Sequence, residues 1–134
     1  MGEFEIVQLT KRKLEKQGKD VYTDVPFLSR CIDMIIIENN SEIISIEFKI
    51  KDWRKAVQQA RDHMLGVDKA YICLPVKKRG VSKNLERLLV QYGVGLLFFH
   101  EKKKEPLEEI IPAQKSKLIW AKGRSWLKEV LYVN

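Results

Sequence analysis

Three charged side chains stand inside otherwise apolar runs: Asp33 in "RCIDMIIIE" (30–38), and Glu47 and Lys49 in "EIISIEFKI" (42–50). Placing a carboxylate or an ammonium among Ile, Met and Phe is unfavourable unless it is paired, hydrated or bound to an ion. Both runs are rich in β-branched residues and flank "NNS" (39–41), so they read as a hairpin. Side chains alternate along a strand, so Ile44, Ile46, Phe48 and Ile50 mark one face as core. Ser45, Glu47 and Lys49 then share the other face. Pairing Ile37 with Glu42 or Ile43 puts Asp33 opposite Ile46 or Glu47, and two carboxylates and an amine converge. Such carboxylates repel, and a divalent cation with hard oxygen ligands relieves the repulsion; Mg²⁺ fits, with Mn²⁺ as a substitute. A lysine beside the metal can orient a water and stabilise charge developing on a phosphate. That is the chemistry of metal-assisted phosphodiester hydrolysis. The alternative for the same residues is a cross-strand ion pair on a half-exposed sheet face.

Those strands need a scaffold, and the rest of the chain supplies one. Residues 3–17 read as a helix with Phe4, Val7 and Leu14 on one face and Gly18 as its stop. "DVYTDVPFL" (20–28) reads as a strand, with Pro26 marking an edge or a strand end. After the hairpin, Asp52 is the expected cap of a helix over 53–65, with Gly66 as the stop. "KAYICLPV" (69–76) is a strand, 82–92 a helix from Ser82 to Gly93, and "VGLLFFH" (94–100) a strand too apolar to be exposed on both faces. The order α-β-β-β-α-β-α-β implies an α/β sandwich, a mixed sheet with helices on both faces. Residues 1–100 form its core. Residues 101–134 read as a basic extension packed on the same domain: a linker-like, charged segment with one apolar patch at Ile110-Ile111, then a short amphipathic helix after Ser125. Trp126, Val130 and Val133 are that helix's expected apolar face.

The 134 residues carry a formal net charge of +7, gathered at 49–61, at 76–83 and from Lys102 to Lys128. Basic clusters favour polyanions, nucleic acid above all, although a solvated basic surface has the same composition. Cys31 and Cys73 sit in strand-like runs and read as reduced core thiols; with His63 and His100 they lack zinc-site spacing. No apolar run reaches membrane-span length, and "MGEFEIVQL" lacks a signal-peptide pattern. The expectation is a cytoplasmic protein that does not enter membranes.

Asp33 on one strand, Glu47-Phe48-Lys49 on the next and Gln59 on the following helix together resemble the PD-(D/E)xK nuclease superfamily, a restriction-endonuclease-like fold that includes Holliday-junction resolvases. The resemblance covers residues 3–75, with Ile32 where the motif's proline would stand. It implies Asp33, Glu47 and the Phe48 backbone carbonyl as metal ligands, and Lys49 as the group that activates or positions water. Gln59, in preference to Gln58, would complete the site. His63 one turn later stands where one branch of the family has tyrosine. Glu5 is the first-helix carboxylate expected to face the metal, with Glu3 as its rival and Glu15 behind both; a solvated helix-start glutamate is the alternative. Arg30, Lys51, Arg54, Lys55 and Arg61 are the expected phosphate contacts, with the 77–80 loop as a further clamp. Trp53 either stacks on a base or covers the core. The implied activity is a Mg²⁺-dependent DNA endonuclease leaving 5′-phosphates, structure-directed or of low specificity, and possible as a homodimer through 118–133. The rival is a non-catalytic nucleic-acid-binding or assembly module that keeps the fold.

Overall fold

The computed structural model describes residues 1–132. Helix α1 (Glu3–Lys16) leads into strands β1 (Asp20–Phe27), β2 (Arg30–Ile37) and β3 (Ile43–Phe48). Then follow α2 (Trp53–His63), β4 (Lys69–Pro75), α3 (Lys83–Tyr92) and β5 (Gly95–Phe99), and after them β6 (Leu107–Ile111) and α4 (Ala121–Tyr132). One six-stranded mixed sheet runs β1-β2-β3-β4-β5-β6. β3, β4 and β5 are parallel and all other neighbours antiparallel. The two parallel crossovers step in one direction, and a common hand keeps their helices, α2 and α3, on one face.

Two cores flank the sheet. The α1 side is filled by Ile6, Val7 and Leu14 against Met34, Ile36, Ile46, Phe48, Cys73 and Phe99. On the other side Ala56, Val57 and Ala60 of α2, Leu85 and Leu89 of α3, and Leu127 and Leu131 of α4 cover Ile35, Ile43, Ile72 and Leu96. The expected α/β sandwich is present, with helices on both faces of the sheet.

Several local expectations change. Phe4 is 70% exposed, because Ile6, Val7, Thr10 and Leu14 form the buried arc and Phe4 lies about 100° from its centre at ~100° per residue. Cys31 is exposed near the β1–β2 turn, whereas Cys73 is buried as expected. Asp52 precedes α2 in a left-handed conformation (φ 57°), and its side chain makes no cap hydrogen bond. Ser82 does cap α3, accepting the Leu85 N–H at 3.2 Å. Pro26 lies on the edge strand β1, where its missing N–H leaves no ladder bond unmade.

The largest change lies beyond residue 100. The segment read as a linker contains β6, whose Leu107 to Ile111 pair with β5 and close the far edge of the sheet. Leu107, Ile110 and Ile111 around two adjacent glutamates are enough for an edge strand once β5 offers a template. α4 begins at Ala121, and its buried face is Gly123, Leu127 and Leu131 at i, i+4 and i+8. Trp126 and Val130 point outward at 44% and 48% exposure, and Val133 lies outside the described residues. Polar anchors fix α4 against the α2–β4 connection. Arg124 donates to the Gly66 carbonyl at 2.9 Å and to Asp68 at 3.0 Å, and the Trp120 N–H donates to the Leu65 carbonyl. Gly66 serves packing here: a Cβ on it would sit 2.7 Å from the Phe27 ring.

Candidate active site

The β2–β3 register pairs Ile37 with Ile43, Ile36 with Ile44, Ile35 with Ser45 and Met34 with Ile46. The next step along both strands sets Asp33 beside Glu47. The Phe48 N–H donates to Asp33 Oδ2 at 2.9 Å, and the Asp33 N–H lies 3.4 Å from Glu47 Oε1. Asp33 also marks a break in alternation. Met34 and Ile36 face the α1 side, yet Ile32, two residues from Met34, joins the opposite core. β1 changes face at the same level: Val21 lies on the α1 side and Val25 and Phe27 on the other, with Asp24 between them at φ 50°. The bend turns the tip of the β1–β2 hairpin toward α2 and leaves Asp33 where the regular ladder stops.

Glu47 is 3% exposed and Asp33 half-buried. Their carboxyl groups lie within hydrogen-bonding reach of each other. Burial first, and then the neighbouring Asp33 charge, pushes the Glu47 carboxyl up to about 8. Asp33 is also raised, chiefly by burial, against the lowering effect of the Phe48 N–H. Both shifts favour a shared proton over two adjacent charges. Lys49 sits just past β3, half-buried, with its N–H on the Cys73 carbonyl at 3.0 Å. Its charge favours ionisation of both carboxyls, although no ion pair joins it to either among the described residues.

The other expected site residues divide. Glu5 turns back to its own helix start, where its Oε1 accepts the Gly2 N–H at 3.0 Å. Glu3 is the first-turn acid near the pair: its Oε2 accepts the Ile50 N–H at 3.0 Å, and its charge helps to raise Asp33. Glu15 and Gln58 are exposed. Gln59 and His63 line a small cavity of about 60 Å³ together with Phe27, Ser29 and Arg30 at the hairpin tip. Gln59 Oε1 and His63 Nδ1 are buried there without hydrogen-bond partners among the described residues, as is the Ser45 hydroxyl on β3. His63 is 5% exposed, and burial pulls it down to about 4. It is a neutral imidazole at pH 7.

Among the cations, Lys51, Arg54, Lys55 and Arg30 are exposed. Arg54 lies over the Trp53 ring at 4.4 Å, while Trp53 itself is half-buried against the α2-side core, which is the covering role. Arg61 stacks 3.8 Å over Tyr92 of α3, away from the hairpin tip. The surroundings of Arg61 carry no signal in the sequence, because Tyr92 on α3 and Gln114, Lys115 and Lys117 on a later segment reach it from two distant parts of the chain.

Asp33 and Glu47 have the right chemistry for a hard divalent cation: one oxygen of each takes a backbone N–H, and their mutual repulsion is relieved by a proton or a metal. Among the described residues, no group of three or more His, Cys, Asp and Glu converges. Protein ligation would thus rest on two carboxylates and a carbonyl, with waters completing the shell, as Mg²⁺ commonly accepts.

No protein-family model matches the chain, and no curated protein matches it in sequence. Solved structures do share the fold. A protein of unknown function from Silicibacter pomeroyi superposes at TM-score 0.66 and 16% identity, over 98% of this chain and 84% of that one. A repair endonuclease from Pyrococcus abyssi superposes at TM-score 0.52 and 14% identity, covering 70% of this chain but only 44% of that one. The chain thus spans less than half of the endonuclease's length.

Proposed function

We propose that the protein is a metal-dependent phosphodiesterase that cleaves DNA endonucleolytically. The observation that carries this reading is the meeting of the Asp33 and Glu47 carboxyls at the end of the β2–β3 ladder, with the Lys49 ammonium in their field. Asp33, Glu47 and the Phe48 carbonyl would hold Mg²⁺ or Mn²⁺. When bound, such an ion supplies a Lewis acid for phosphate oxygens and lowers the pKa of a coordinated water. Lys49 would orient the attacking water and stabilise charge on the phosphoryl oxygens, while Glu3 is better placed than Glu5 to add a carboxylate. Arg30, Lys51, Arg54 and Lys55 would hold phosphates without reading bases. The endonuclease sharing the fold supports the reading through architecture alone.

The non-catalytic alternative has one observation in its favour, the absence of a third converging ligand among the described residues. Cleavage of plasmid and branched DNA in Mg²⁺ separates the two. Wild type should cut, and Lys49→Ala and Asp33→Asn should each slow cutting by about 10²-fold or more. Equal cutting by wild type and Lys49→Ala refutes the enzyme reading. Binding without cutting supports the module.

A further inference from the structure

A cavity of about 260 Å³ lies between the C-terminal end of α3 and the strap 114–118 that leads to α4. Its charged lining residues are Arg61, Lys115 and Lys117, with no carboxylate, and Tyr92, Met64 and Leu118 add apolar wall. Arg61 is held in place by its stack on Tyr92. The strap is fixed as well: the Ser116 hydroxyl donates to the Met64 carbonyl at 2.6 Å and the Ser116 N–H to the Asp68 carbonyl. Directly after the strap come two tryptophans that the fold leaves outside, Trp120 at 43% and Trp126 at 44% exposure. Their rings meet edge to face at 5.4 Å, and the Lys122 ammonium lies 5.4 Å from the Trp126 ring. Large exposed aromatics interleaved with cations, beside an anion-attracting cavity, match what single-stranded nucleic acid presents: phosphates on one side and flat apolar bases on the other.

We propose that this cavity and the Trp120–Trp126 platform form a binding surface for single-stranded DNA. A nucleotide enters the cavity with its phosphates near Lys115 and Lys117, and the following bases stack on the tryptophans. The proposal rests on the proposed function only in taking DNA as the partner, for the binding needs neither Asp33 nor Glu47. Charge complementarity selects this occupant over a second copy of the chain. Lys115, Lys117, Lys122 and Lys128 outnumber the one carboxylate of the segment, Glu129, so a two-fold contact would set like charges against each other.

The test is fluorescence anisotropy of a labelled oligothymidylate, read in EDTA so that no cleavage occurs, with a labelled duplex beside it. Wild type should bind the single strand more tightly than the duplex. Trp126→Ala should weaken binding roughly tenfold or more, while Trp126→Phe stays within a few-fold of wild type. Lys117→Ala should lower the slope of log K against log salt by about 0.7. Unchanged binding by Trp126→Ala overturns the proposal, as does preference for the duplex. So does a wild-type dimer in sedimentation that Trp126→Ala dissociates while leaving DNA binding intact. DNA cleavage by a wild type that does not bind oligothymidylate overturns this surface and leaves the proposed chemistry standing; binding without cleavage does the reverse.

Discussion

Asp33 and Glu47 share one economy: each carboxyl takes a backbone N–H from the opposite strand, and each destabilises the other's charge. Glu47 holds its proton more tightly folded, at about 8, than its ordinary 4.5. Its contribution to stability is therefore fully present below about pH 4.5 and lost as pH rises through about 8. Glu47→Gln should flatten that fall, which urea midpoints measured across the window in EDTA will show. Added Mg²⁺ should raise the wild-type midpoint at the alkaline end and leave that of Glu47→Gln nearly unmoved. His63 acts with the opposite sign. Its proton is held less tightly folded, at about 4, than the ordinary 6.5, so its contribution is present above about pH 6.5 and lost as pH falls through about 4.

At the scale of elements, the bent β1–β2 hairpin and the α4 anchor depend on each other. Phe27, beyond the bend, fits beside Gly66 and within reach of Gly123 and Leu127, so the hairpin tip, the α2–β4 connection and α4 share one packing joint. Leu127 is fully buried there, and Leu127→Ala should lower unfolding free energy by about 2–5 kcal/mol. Chemical denaturation checks this, with Trp120 and Trp126 as local fluorophores. At the other edge, a Cβ on Gly95 would meet the Tyr71 ring and lie 2.7 Å from the Ala113 N. The second contact is backbone and cannot swing away. Gly95→Ala should therefore destabilise by about 1–3 kcal/mol in the same measurement, as overpacked sites do.

At the scale of the whole molecule, part of the cationic excess behind the net charge of +7 lines two grooves. Besides the cavity at Arg61, Lys115 and Lys117, a groove of about 480 Å³ on the α1 side is lined by Lys13, Lys16, Lys102, Lys103 and Lys104. Lys13 there donates to the Glu101 and Lys103 carbonyls, which fixes the β5–β6 loop against α1. Duplex DNA should bind with strong salt dependence. Lys103→Glu should weaken it equally for all sequences and reduce the salt slope, as loss of a phosphate contact does. Filter binding across a salt series measures both. No helix among the described residues is long and apolar enough to cross a membrane.

The sequence by itself determined the elements up to residue 100, because their signals are local: β-branched runs, "NNS", Ser82, and glycines after helices. It also brought Asp33 to within one register step of Glu47, since a two-residue period and a short turn leave few registers, and the pairing of Ile37 with Ile43 chose between the two that remained. Only the tertiary structure decided the rest. β6 needs β5 as a template, so 107–111 carries a weak signal alone. Trp126 and Val130 lost the inward face to Gly123, Leu127 and Leu131 because Arg124 and Phe27 set the rotation of α4. Glu5 went to its own helix start and Glu3 to the strand end, a choice the helical period could not make between neighbours. The basic cavity is assembled from α2, α3 and the strap, and no stretch of sequence contains it. Its parts are distant along the chain, and long-range packing alone brings them to one place.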